Sequence, residues 1–86
     1  MLQQKMYVIA KRDYKEKENF DFVSCFQTER CDYPDKVWYQ CLEKAFHFQC
    51  KERAKELLLK QPNWIQEKHI VIPFIKTLFT CRLENI

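Results

Sequence analysis

Five cysteines and two histidines are the residues of this 86-residue chain best suited to metal binding or nucleophilic chemistry. The gaps between Cys25, Cys31, Cys41, Cys50 and Cys81 contain five, nine, eight and thirty residues. Structural zinc sites gather their ligands as short-spaced Cys or His pairs, and two such pairs are needed. Here His47 and Cys50 form one His-x-x-Cys pair and no second follows. The odd count and irregular spacing predict five free thiols packed as small hydrophobes, with no metal and no other cofactor. Catalysis has less support still. His47 stands between Phe46 and Phe48, and His69 opens an apolar run. The chain has no glycine, so phosphate-cradling loops and the Gly-x-Ser-x-Gly elbow are excluded. No acidic dyad at useful spacing is visible, and the expectation is a protein that is not an enzyme.

Elements that would position these residues follow from periodicity. Residues 6–12 alternate as a strand, with Tyr7 and Ile9 on one face and Met6, Val8 and Ala10 on the other. Residues 13–19 read as a charged, solvated connection. Residues 20–26 alternate again: Phe20, Phe22, Ser24 and Phe26 face one way, Asp21, Val23 and Cys25 the other. The pair suggests an antiparallel hairpin. A connection over 27–35 is punctuated by Pro34. Residues 36–48 admit two readings. Trp38, Cys41, Leu42, Ala45 and Phe46 recur as one helix face, yet Val37, Trp38 and Tyr39 are strand formers. A short strand over 36–40 and a single turn over 42–46 is the preferred assignment; continuous helix is the alternative.

Residues 50–60 carry the clearest helical stripe, formed by Cys50, Ala54, Leu57 and Leu58. With Gln49 as the cap, Glu52 could reach back as in a capping box, and Glu56 is placed to pair with Lys60. Pro62 and Asn63 are read as its stop. Residues 69–83 read as one long final strand, with Val71, Ile75, Phe79, Cys81 and Leu83 on one face. Pro73 requires an edge or a bulge there. The predicted fold is a single α+β domain over 1–86: a small antiparallel sheet of three to four strands against one principal helix at about 50–60.

Composition bounds the function. Residues of the apolar set make up 47%, with seven Phe, four Tyr and two Trp, which argues for a packed core against disorder. Fifteen basic residues oppose twelve acidic ones, a balance without the dense basic stripe of a duplex-DNA binder. Met1-Leu2-Gln3-Gln4-Lys5 lacks the apolar run of an export signal, and no stretch suits a bilayer span. A reducing cytoplasmic setting and no membrane partner are expected.

The order strand, strand, short strand, turn, helix, strand carries a resemblance. Tyr7-Val8-Ile9, Phe20 and Phe22, Trp38, Leu42 through Phe48, Cys50 through Leu58, and Ile70-Val71-Ile72-Pro73 fall where a recurrent pattern has them. The chain resembles small phage-encoded β-β-α-β-type proteins, a group that includes some anti-CRISPR inhibitors. Cys50 stands where that pattern has a Ser or Thr cap, and its hairpin glycines are missing. The resemblance implies Ala45 and Ala54 pressed against a sheet, and Phe46 or Phe48 filling a corner. It also implies a phage-type inhibitor in the cytoplasm of a bacterial host cell, sterically blocking a bacterial defence protein such as a CRISPR effector. A single-stranded nucleic-acid-binding module, using Tyr7, Phe22, Trp38 and Tyr39 with Arg12 and Lys36, is the alternative. For protein binding the candidate anchors are Trp64 just past the helix, Tyr14 and Tyr33 in charged loops, and Arg12 at the end of the first strand. Trp64 serves equally well as a cap over the helical core.

Overall fold

The computed structural model describes residues 3–27 and 36–84. Tyr33 and Cys31 lie outside the described residues. β1 (Gln4–Lys11) is apolar on both faces and becomes the central strand of a five-stranded antiparallel sheet. The order is β3 (Lys36–Gln40), β2 (Phe22–Gln27), β1, β4 (His69–Lys76), β5 (Cys81–Leu83). The α+β class is as expected; the sheet has five strands, against the three to four expected.

Each face of β1 supplies its own core, because a strand buried on both sides needs cover on both. Met6, Val8 and Ala10 pack with Phe22, Leu42, Ala45, Ile72, Phe74 and Cys81. Ile9 packs with Val23 and Ala54, and half-buried Tyr7, Phe26, Tyr39, Phe48, Leu57 and Leu58 surround them. The second layer is α1 (Lys51–Leu59), whose Ala54 is fully buried between helix and sheet. The first has no long helix. A single 3-10 turn at Leu42–Lys44 drops Leu42 onto it, and Tyr14 leans in from the charged connection. Of the two readings of 36–48, strand followed by turn is the one adopted.

β1 and β2 pair at Ala10 and Phe22 and then diverge. Residues 46–48 fill the opening. The Phe46 N–H donates to the Val23 carbonyl at 3.2 Å, and Tyr7 and Phe48 exchange two hydrogen bonds of 2.8 Å. This insertion satisfies backbone groups that the divergence would strand, and an unmet buried backbone group costs about 1–3 kcal/mol. The inserted segment, rather than β2, flanks β1 at Tyr7.

β4 is the main partner of β1, with eight register pairs from Gln4–Lys76 to Lys11–His69. Tyr7 directs its backbone groups to Phe48, so Tyr7 and Pro73 face each other as a non-hydrogen-bonded pair. The Pro73 nitrogen therefore points away from β1, toward the side where β5 reaches only as far as Phe74. The missing donor leaves no ladder bond unmade.

Five expectations are corrected. The long strand over 69–83 is a hairpin, β4 and β5, broken by a turn over 77–80. Alternation in β2 does not run through: Val23 faces Tyr39 and Cys25 faces Trp38, so Ser24 is a bulge. The extra residue moves Phe26 to the helix side with Val23, away from Phe22, while Phe20 lies before the strand and is exposed. Pro62 ends α1 and begins a second helix, α2 (Asn63–Lys68). Proline is tolerated there because a helix start has spare N–H groups, and its carbonyl accepts from Ile65 and Gln66 at 3.0 and 3.1 Å. Ile65 is fully buried, which docks α2 onto the body. The N-cap of α1 is Cys50, not Gln49, and it makes no side-chain capping bond. No Glu56–Lys60 ion pair forms among the described residues.

Candidate protein-binding surface

The turn between β4 and β5 is built without glycine. Thr77 closes it: its N–H donates to the Thr80 carbonyl at 2.8 Å, and its Oγ1 accepts from the N–H groups of Thr80 (3.1 Å) and Phe79 (3.4 Å). The hydroxyl also lies 3.2 Å from the Thr80 carbonyl, to which it can donate. Threonine hydroxyls substitute for a backbone turn in this way. The result is a turn closed at both ends by its threonines. At that tip Leu78 is 84% and Phe79 86% exposed, the most exposed large apolar side chains among the described residues. An exposed apolar pair on a hydrogen-bonded turn is the informative exception to burial. Lys76 and Arg82 follow at the base of the hairpin.

The anchors expected from the sequence divide. Trp64 sits on α2, 44% exposed, with Lys68 Nζ 5.8 Å from its ring centroid. Arg12 is spent on the same helix: its N–H donates to the Lys68 carbonyl at 3.0 Å and its Nε to the Glu67 carbonyl at 2.7 Å. A cation on the last carbonyls of a helix is favoured by the helix dipole. Arg12 and Trp64 thus share one helix, which the sequence separates by half the chain. Tyr14 stands apart, half-buried, with its ring 6.0 Å from that of Phe22. Tyr33 lies outside the described residues. The Leu78–Phe79 tip was missed because Phe79 fits an alternating strand; the signal lay in Thr77 and Thr80, which flank the pair symmetrically.

Both histidines considered for other chemistry have hydrogen-bond partners. His47 Nε2 lies 2.7 Å from the Leu42 carbonyl, and its ring meets Phe74 at 4.7 Å. Among the described residues no three His, Cys, Asp or Glu side chains gather to hold a metal ion. Cys25, Cys41, Cys50 and Cys81 are free. His69 is buried, with Nδ1 2.6 Å from the Ile65 carbonyl, and burial holds its pKa below the ordinary 6.5. Of the aromatics proposed as a stacking platform, Phe22 is fully buried, and Tyr39 is bonded to His69 and covered by Lys11 at 4.4 Å. Trp38 is half exposed on edge strand β3, with Lys36 4.3 Å from its ring centroid. No helix among the described residues is long and apolar enough to cross a membrane. Searches of protein-family models, of curated proteins and of solved structures return no match to this chain.

Proposed function

We propose that this chain is a protein-binding module that acts by covering a surface of its partner. The observation that carries the reading is the Leu78–Phe79 tip: two large apolar side chains held in water on a turn that Thr77 and Thr80 close with hydrogen bonds. Burying such a tip in a partner's pocket gains apolar area from a turn that is already formed, the circumstance in which hot spots arise. Trp64 and Lys68 on α2 offer a second patch. The resemblance to small phage-encoded inhibitors supplies the partner class: a bacterial defence protein, with a CRISPR effector first, blocked sterically in the cytoplasm of the host cell.

The test uses purified chain and purified effector in gel filtration at moderate salt, with gel shifts against free single-stranded nucleic acid in parallel. A stable complex that the Leu78→Ser/Phe79→Ser variant forms more weakly by about 2 kcal/mol or more supports the reading. A chain that ignores the effector but retains single strands, with affinity falling steeply as salt rises, would replace it with nucleic-acid binding.

A further inference from the structure

The hairpin that carries Leu78 and Phe79 has charge at its base, and its register sets where that charge lies. Phe74 faces Leu83, Ile75 faces Arg82, and Lys76 faces Cys81. Facing residues project to the same side of a sheet, and neighbours along a strand to opposite sides. Lys76 therefore continues the side of Phe74 and Cys81, which pack with Leu42 and Ala45. Arg82 continues the opposite side with Ile75. The turn is straddled by two cations, one on each side of the hairpin.

The carboxylates closest along the chain and in the fold go to other lysines. Glu84 pairs with Lys5 at 3.7 Å. Glu43 pairs with Lys17 at 3.8 Å, and the same Nζ donates to the Cys81 carbonyl at 3.2 Å. Among the described residues neither Lys76 nor Arg82 joins an ion pair. Arg82 is exposed and Lys76 half-buried. A pocket that takes the Leu78 and Phe79 side chains brings its rim against both of them. A rim of carboxylates gains charge-assisted pairs there, and a cationic rim is repelled.

A bilayer is a poorer match than a pocket. An anionic headgroup plane would meet the whole end of the molecule, and there Glu16, Glu18 and Glu84 line a shallow depression together with Arg82. Those acids repel such a plane, whereas a pocket admits the tip alone. We propose, on the basis that the chain is a protein-binding module, that the tip enters an apolar pocket of its protein partner with carboxylates on two opposite sides, one for Lys76 and one for Arg82. This chemistry sets the contact apart from any nucleic-acid channel of an effector, because such channels are lined with cations.

Surface plasmon resonance of the purified chain on a purified CRISPR effector, at several salt concentrations, tests this. The variants are Leu78→Ser/Phe79→Ser, Lys76→Glu, Arg82→Glu, Lys76→Gln and Arg82→Gln, with amide exchange in β1 confirming that each is folded. Vesicles of equal parts phosphatidylcholine and phosphatidylglycerol are run in parallel. Each charge reversal should weaken the complex by about tenfold and each glutamine variant by about threefold, chiefly through slower association, and the parent's association rate should fall as salt rises. A parent that does not bind, or a double serine variant that binds as the parent does, overturns the protein-binding reading and this partner chemistry with it. A double serine variant that loses binding, beside charge reversals that bind as well as the parent or better, overturns the carboxylate rim alone. Vesicle binding by the parent that the double serine variant loses assigns the tip to a membrane surface and overturns both.

Discussion

The Tyr39 hydroxyl lies 2.6 Å from Nε2 of His69, joining edge strand β3 to the start of β4 across the curl of the sheet. Nδ1 faces the Ile65 carbonyl and so carries the proton; Nε2 must then accept from Tyr39. The dyad fixes a neutral imidazole. Burial is the main cause of its lowered pKa, and Lys11, Lys68 and Arg12 lower it further, while the Ile65 carbonyl opposes them.

Stability should therefore depend on His69 in acid. The folded pKa lies below the ordinary 6.5, so the unfolded chain takes up the proton first. The contribution is complete above about pH 6.5 and is lost as pH falls through that value toward the lowered folded one. Denaturant midpoints for the parent and His69→Gln between pH 4 and 8 check this. The parent should lose more stability than the variant on going below about pH 6.

Tyr39→Phe should destabilise the fold by about 1–2 kcal/mol, because the buried Nε2 loses its donor. The same variant should raise hydrogen exchange at β3, where Tyr39 ties the edge strand to α2 and β4. A loss below about 0.3 kcal/mol would show the bond to be incidental.

Ala54→Leu should cost about 1–3 kcal/mol, since Ala54 is fully buried between α1 and the strands carrying Ile9 and Val23. Thermal melts read the effect directly. The placement of this alanine was legible in the sequence, as were β1, β3 and the span of α1. Each rests on a local period that tertiary contacts reinforce. What was not legible is non-local. The Ser24 bulge depends on register against β3, and the Thr77–Thr80 turn depends on hydroxyl geometry where alternation continues without interruption. The brief α2 has too few residues for a period, and Pro62 ahead of it reads equally as an end or a beginning. The insertion of residues 46–48 beside β1 leaves no pattern in sequence at all, because it is a pairing of backbone groups.

Thr77→Ala should loosen the tip without unfolding the body. It removes the hydroxyl that accepts from Phe79 and Thr80, a loss of about 1 kcal/mol to the closed turn. Amide exchange at residues 78–80 should accelerate while that of β1 stays unchanged.

Thiol labelling of the native chain should discriminate among the cysteines. Cys25 and Cys50 are exposed and should react first. Cys81 is buried, and burial also raises its pKa, so less of the reactive thiolate forms. It should react only on unfolding; rapid labelling of Cys81 at neutral pH, read by peptide mass spectrometry, would contradict its placement.

The pairing of β1 with β4 has a consequence for the order of events in folding. Gln4 faces Lys76 and Lys11 faces His69, so the central ladder joins two distant stretches of the chain. During synthesis β1 emerges long before its partner exists. Its other flank is closed by Phe48 and by one pairing at Ala10, neither a substitute for an eight-residue ladder. Loop closure over that distance must precede the contacts that reward it, which slows folding relative to a helical chain of equal size. Nascent chain stopped before residue 69 should hold β1 as an unpaired apolar strand open to chaperones and proteases, and protection should arrive only when the last strands leave the ribosome.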